Sequence, residues 1–290
     1  MLDTLSRIRS PGAKAGRNSA APIPYAAGMT DVLLLDRTDG VATLTLNRPD
    51  SLNSLSVELK EALLAAVAEV GADPSIRAVV ITGAGRGFCV GQDLAEHVQL
   101  LQQPDGPPLR TVEEHYNPLI TAIAGLAKPV IAAVNGAAAG AGASLSFACD
   151  LRIVSTEAKF LLAFANVGLG LDSGASWTLP RLIGYGRALE LSLLAQPFTA
   201  QLAEAYGLVT RLVTPEQVLP TAQELAARLA AGPTVAYAAI KEAFDYGAGH
   251  TLVEALAKEA ELQDRAGRTA DHRNATMAFV NKEKPVFTGQ

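Results

Sequence analysis

Hydrophobic and polar positions settle into a regular pattern just after residue 30. Val32, Leu33 and Leu35 open an apolar run next to Asp31, so folded structure is expected to begin there. Residues 41–46 alternate apolar side chains with threonine, a period of two that predicts a strand closed by Asn47-Arg48-Pro49. The period then changes. Leu59, Leu63, Val67 and Val70 recur at helical spacing, with Glu58, Lys60, Glu61 and Glu69 on the opposite face, Ser56 as N-cap and Gly71 as stop. Residues 78–82 predict a short buried strand running into Gly83-Ala84-Gly85-Arg86-Gly87. The Pro-rich residues 101–109 predict a mobile loop, and a helix is expected from Val112. A strand over 129–134 leads into a glycine turn, and 151–155 predicts another strand. Residues 158–167 fit either period, and Gly184 interrupts a helix expected from Ser173. From 216 onward the pattern is helical, with Leu219, Leu225, Leu229, Ile240, Phe244, Leu252, Leu256 and Leu262 as candidate inward positions. Strand and helix alternation followed by helices alone predicts an α/β core with a helical C-terminal part.

Composition narrows the class. The 290 residues are 49% hydrophobic and 18% charged, which supplies a sizeable core and excludes global disorder. With 24 basic and 29 acidic residues the net charge is −5, and without a basic run nucleic acid is not an expected partner. Two cysteines, Cys89 and Cys149, make no disulfide framework and point to a reducing cytoplasm. Residues 129–149 carry no charge, but Asn135, Ser144, Ser146, Gly136, Gly140 and Gly142 interrupt the run. It therefore predicts a buried strand, turn and helix, not a membrane span. Residues 1–28 hold Arg7, Arg9, Lys14 and Arg17 with Asp3 as their only acid, and lack a secretory apolar stretch. They read as a flexible extension or as sequence ahead of a true start at Met29, with a transit peptide as the alternative.

Chemical motifs are few. Gly83-x-Gly85 and Gly168-x-Gly170 both lack the third glycine of a dinucleotide fingerprint. Gly142-Ala143-Ser144-Leu145-Ser146 and Gly174-Ala175-Ser176-Trp177-Thr178 both lack the last glycine of a hydrolase elbow. His97, His115, His250 and His272 have no metal-ligand spacing. What remains are two glycine turns after short apolar strands, Phe88-Cys89-Val90-Gly91-Gln92-Asp93-Leu94 and Asn135-Gly136-Ala137-Ala138-Ala139-Gly140-Ala141-Gly142. Small residues expose backbone N–H groups, and two that converge on one oxygen make an oxyanion hole.

These turns, with Leu46-Asn47-Arg48-Pro49, Leu52-Asn53-Ser54-Leu55, Lys128-Pro129-Val130, Cys149-Asp150 and Leu179-Pro180-Arg181, resemble the enoyl-CoA hydratase/isomerase (crotonase) superfamily from about Asp31 to the C-terminus. The resemblance implies an α/β, crotonase-like spiral of ββα units over 29–215 and a helical oligomerisation region over 216–290. It also implies a homotrimer or hexamer acting on an acyl-CoA thioester, with no metal and no cofactor beyond the coenzyme A of the substrate. By motif position the oxyanion donors are Val90 and Ala141, next to Gly140. Gly91, Gln92, Asp93 and Leu94 line the coenzyme side, although Asp93 and Asp150 also read as structural.

Family hydratases use two glutamates to activate and deliver water. The matching positions here are Ser144 and Phe164, neither able to carry a proton as a carboxylate does. Family isomerases place an aspartate where this chain has Asp172. Its place ahead of Ser173-Gly174 also suits a helix cap, and Asn166 is a weaker candidate for substrate contact. The resemblance is closest to the isomerases that act on ring epoxides in phenylacetate breakdown, supported by His115-Tyr116-Asn117-Pro118-Leu119 and the closing Pro285-Val286-Phe287-Thr288-Gly289. The expected activity is ring-epoxide or double-bond isomerisation with Asp172 as proton shuttle. The alternatives are a generic enoyl-CoA hydratase or dienoyl-CoA isomerase, or a non-catalytic acyl-CoA-binding or RNA-binding relative.

Overall fold

The computed structural model describes residues 31–102 and 109–290. The expected N-terminal extension and most of the expected Pro-rich loop lie outside the described residues.

The chain opens with an antiparallel hairpin, β1 (Leu33–Thr38) and β2 (Val41–Leu46), followed by α1 (Val57–Ala72). Ser56 caps α1 as expected, its hydroxyl accepting from Leu59 N–H at 3.2 Å. Gly71 does not stop it. The helix runs to Ala72, and a Cβ on Gly71 would lie 3.0 Å from Leu126 Cδ1, so the missing side chain serves packing.

Three ββα turns follow. The first is β3 (Ala78–Gly83), β4 (Gly87–Cys89) and α2 (Leu94–Leu101). A π-helical turn (Val112–Tyr116) and α3 (Asn117–Ala124) lead to the second, β5 (Val130–Val134), β6 (Ala137–Ala139) and α4 (Ala141–Ala148). The third is β7 (Leu151–Ser155), β8 (Lys159–Leu161) and α5 (Ala175–Ile183), with α6 (Tyr185–Leu194) after Gly184. The chain continues through β9 (Phe198–Thr199), α7 (Ala200–Tyr206) and β10 (Arg211–Val213). It ends in four helices, α8 (Val218–Ala230), α9 (Thr234–Gly247), α10 (Leu252–Gly267) and α11 (Ala270–Asn281).

Each turn gives its longer strand to one sheet and its shorter strand to another. The first sheet has the order β1-β2-β3-β5-β7-β10, parallel beyond the opening hairpin, and the second has the order β4-β6-β8-β9. This is the crotonase-like spiral. Because side chains alternate across a strand, the large sheet buries both faces. Leu44, Val79, Ile81, Ala132 and Val154 face α1, α3 and α4, while Val41, Val80, Ile131, Ala133 and Ile153 face α8. Thus α8, beyond the expected boundary at 215, covers the sheet through Val218, Ala222, Leu225 and Ala226.

The later helices differ from the inward pattern expected of them. Leu225 and Leu262 are buried, but Ile240, Phe244, Leu252 and Leu256 are exposed on this protomer. Residues 129–149 fold as β5, β6 and α4, and among the described residues no helix is long and apolar enough to cross a membrane.

Candidate active site

Strands β4 and β6 pair in parallel, so the two glycine turns leave the small sheet side by side. A Cβ on Gly91 would lie 2.9 Å from Ala139 O and 3.2 Å from Ala141 N, so the turns are in direct backbone contact. Gly142 permits the approach, since a Cβ there would lie 2.1 Å from Cys89 O. Val90 follows β4 and Ala141 is the first residue of α4, where an N–H has no intrahelical partner. Neither N–H donates to a backbone acceptor among the described residues. Gly140, at φ +50°, precedes α4, and the space where its Cβ would stand is open. The arrangement can hold one oxygen beside two adjacent donors at a helix N-terminus.

The first turn is held rigidly. Leu55 N–H donates to Gly91 O at 2.7 Å, and Asp93 accepts from Ser54 Oγ at 2.9 Å and pairs with Arg48 at 2.8 Å. Asp93 also caps α2 through Ala95 and Glu96 N–H. Burial alone would raise the Asp93 carboxyl, but bonds from Arg48, Ser54 and Glu96 N–H hold it below its ordinary value. Glu96 caps α1, accepting from Val57 N–H at 2.9 Å.

Asp172 lies in the segment between Gly168 and α5, which folds back on α3. A Cβ on Gly174 would lie 3.1 Å from Ile120 Cγ2, one helical turn beyond Tyr116. The carboxyl is half-buried and accepts from Ser173 Oγ at 2.8 Å. It does not cap α5. The N-cap there is Gly174, at φ +73° and without a side-chain bond. Burial pushes the Asp172 carboxyl above its ordinary range, opposed by the Ser173 hydroxyl and the Lys60 ammonium.

Lys60 was not foreseen. The helical pattern placed it on the solvent face of α1, yet it is 1% exposed. Its Nζ donates to Thr111 Oγ1 at 2.5 Å and to Gln92 Oε1 at 3.3 Å, and lies 4.9 Å from the centre of the Tyr116 ring. Tyr116 is also buried and donates its hydroxyl to the same Gln92 oxygen. The available signal was a second row on α1: Lys60, Leu64, Val67 and Gly71 share helical spacing and border the apolar stripe.

The structure therefore brings Val90, Gly91, Gly140 and Ala141 together. Gln92 turns its side chain inward to Lys60 and Tyr116, and Asp93 is committed to capping. Leu94 opens α2 and is largely exposed. Ser144 is fully buried and donates to Gly140 O at 3.1 Å, while Phe164 is buried in the core. Asn166 is exposed and tied to Ala195 O at 2.9 Å. Asp150 accepts from Val130 N–H and Lys241 Nζ, both at 2.7 Å, consistent with a structural role.

Residues 36–290 match the family model for enoyl-CoA hydratase/isomerase. The chain is 43% identical to the 1,2-epoxyphenylacetyl-CoA isomerase of Escherichia coli, over 90% of this chain and 100% of that protein. It is 34% identical to the short-chain-enoyl-CoA hydratase of Clostridium acetobutylicum, over 87% of this chain and 95% of that protein. The crystal structure of an enoyl-CoA hydratase from Polaromonas superposes with a TM-score of 0.83 at 33% identity, covering 88% of this chain and 99% of the other. These relatives carry both reaction names, so the choice between them falls to the site residues.

Proposed function

Given that this chain belongs to the enoyl-CoA hydratase/isomerase family, we propose that it isomerises an acyl-CoA thioester by moving one proton along the acyl group. Val90 and Ala141 N–H hold the thioester oxygen, and Asp172 carries the proton. Asp172 removes a proton from the α-carbon, the electron pair moves toward the thioester oxygen, and the same proton returns at the γ-carbon. With a ring epoxide the same proton shift accompanies cleavage of the carbon–carbon bond shared by epoxide and ring, which expands to an oxepin; in both cases no atom is added or lost. One carboxylate suffices for such a shift, and its raised proton affinity suits a base that must also give the proton back.

Asp172 is the observation that carries this reading. The neighbouring carboxylates are committed, Asp93 and Glu96 to helix caps. The hydroxyl of Ser144 is used on Gly140 O, and Phe164 offers only carbon, so neither of these two positions supplies a carboxylate to position water. The substrate class is a 3-enoyl-CoA or a ring-epoxide acyl-CoA of phenylacetate type, in line with the name of the Escherichia coli relative. The test is incubation with crotonyl-CoA, a 3-enoyl-CoA and 1,2-epoxyphenylacetyl-CoA, with products resolved by mass and absorbance. Isomerisation of either of the last two with slow hydration of crotonyl-CoA is expected. Hydration as fast as isomerisation overturns the reading and favours the hydratase.

The same reading includes assembly. Phe244 is 79% exposed and Phe279 is 85% exposed, and Ile240, Leu252, Val253 and Leu256 are exposed as well. An apolar surface of this extent is covered by further copies of the chain in a trimer-based oligomer. Light scattering is expected to show a trimer or hexamer at micromolar concentration, and a monomer ends the proposal.

A further inference from the structure

The reaction above does not use the buried ammonium of Lys60, a charge that acts on Asp172. Burying a lysine is costly unless its charge is compensated, and this one is surrounded by compensation. Thr111 Oγ1 and Gln92 Oε1 accept two of its three N–H groups, and the Tyr116 ring lies beneath it. Burial lowers its proton affinity, opposed by the carboxylates of Glu96 and Asp93 from α2, Asp172 from the loop before α5, and Glu61 from α1. Tyr116 reports the same neighbourhood, with its hydroxyl pushed up by burial and then by Asp172 and Cys89. The Cys89 thiol is itself pushed up to about 12 by burial, and so it adds no charge at neutral pH. Behind Thr111 stands His115, whose Nδ1 is 3.1 Å from the threonine oxygen.

Geometry links this cluster to both halves of the site. Gln92 directly follows Gly91 of the first glycine turn, and Tyr116 precedes by one turn the Ile120 that packs on Gly174. Lys60 and Tyr116 are 1% and 2% exposed, so neither reaches a substrate in the open space at Gly140.

We propose that Lys60 is a positioning residue for the proton transfer: its ammonium, fixed by Thr111, Gln92 and the Tyr116 ring, holds the Asp172 carboxylate ionised between turnovers. This rests on Asp172 being the base. An ammonium favours the charged form of a nearby carboxylate, so removing it makes Asp172 harder to ionise. The burial that raises the Asp172 carboxyl is then tempered by a fixed cation, which keeps the base available at neutral pH.

Lys60→Met tests it, with Lys60→Gln as a second variant that keeps a polar partner for Thr111. The Asp172 carboxyl is followed by carbon-13 NMR of aspartate-labelled protein, its resonance assigned by loss in Asp172→Asn. The acid limb of kcat/KM is followed with a 3-enoyl-CoA. In either folded variant the carboxyl midpoint and the acid limb are both expected to move to higher pH by about one unit. KM above the limb should stay unchanged, with the rate recovering there. A merely structural lysine would lower the rate equally at every pH. An unmoved Asp172 midpoint overturns the proposal, whatever happens to activity. A midpoint that moves without the acid limb also overturns it. Full turnover by Asp172→Asn refutes the underlying assignment of the base and is read separately.

Discussion

Two aspartates near helix starts, Asp172 and Asp271, are both withdrawn from solvent and are built in opposite ways. Asp271, in the first turn of α11, is 2% exposed and accepts from Thr288 N–H at 2.6 Å, Thr288 Oγ1 at 3.1 Å and Gly289 N–H at 2.8 Å. Its own N–H donates to Gln290 O at 2.9 Å, and Arg77 holds the same tail through Phe287 O. The carboxylate latches the C-terminal residues, with three bonds on its two oxygens. Asp172 accepts from the Ser173 hydroxyl alone among the described residues, and burial raises its proton affinity. A carboxylate bonded on both oxygens makes a clasp. An under-saturated one has room for a proton, and the fold tolerates its cost where chemistry needs it.

Asp172→Asn gives the largest expected effect. It preserves shape and removes the base, so kcat should fall by about 10²–10⁴ with little change in binding. Stability should move the other way. A carboxyl raised in the folded state stabilises the fold at low pH and loses that contribution as pH rises through the folded value. The wild type therefore weakens across that range and the Asn variant does not. The Asn variant should melt higher at pH 8 and lose its advantage near pH 3. An Asn variant that melts lower at pH 8 would show that Asp172, like Asp271, is a clasp.

How far such differences can be read from sequence depends on how local their causes are. The strand over 41–46 was legible because its alternation meets a sheet buried on one side by α1 and on the other by α8. Helix α1 was legible through Leu59, Leu63, Val67 and Val70, all buried. The glycine turns were legible because only small residues tolerate a Cβ-free contact such as Gly142 against Cys89 O. The short strands β4, β6, β8 and β9 were not, since two or three residues carry no period and their pairing is set by the spiral. The inward turn of Lys60 was hidden because its partners come from residues 92, 111 and 116. The outward apolar side chains of α9 and α10 misled for the opposite reason. Periodicity marks a face that is buried against something and does not say against which chain.

Asp271→Asn comes next in size. It turns one accepting oxygen into a donor that faces donors already in place, leaving buried polar groups unpaired. The expected cost is about 1–3 kcal/mol by denaturant titration, with kcat per folded molecule unchanged. Unchanged stability would mean that Arg77 and the backbone bond to Gln290 O hold the tail without the carboxylate. A fall in kcat at full folding would place the latch in communication with the site and blur the contrast between the two aspartates.

The smallest effect separates electrostatics from strain at Ser173. This residue is 2% exposed, sits at φ +50° and supplies the side-chain bond to Asp172. Removing the hydroxyl takes away the strongest influence that favours the ionised carboxylate, so the Asp172 midpoint and the acid limb of kcat/KM should move to higher pH at least as far as they do on loss of the Lys60 ammonium. Ser173→Ala and Ser173→Gly remove the same bond, so their shifts should agree. Their stabilities should not. Alanine keeps a side chain in the left-handed region, whereas glycine adopts it freely, and glycine is favoured there by about 1 kcal/mol or slightly more. If both variants share the pH shift while Gly melts higher than Ala, the hydroxyl tunes the base and the backbone strain is an independent cost of presenting it. If the acid limb follows stability instead, Ser173 acts on Asp172 through the shape of the loop and not through its hydrogen bond.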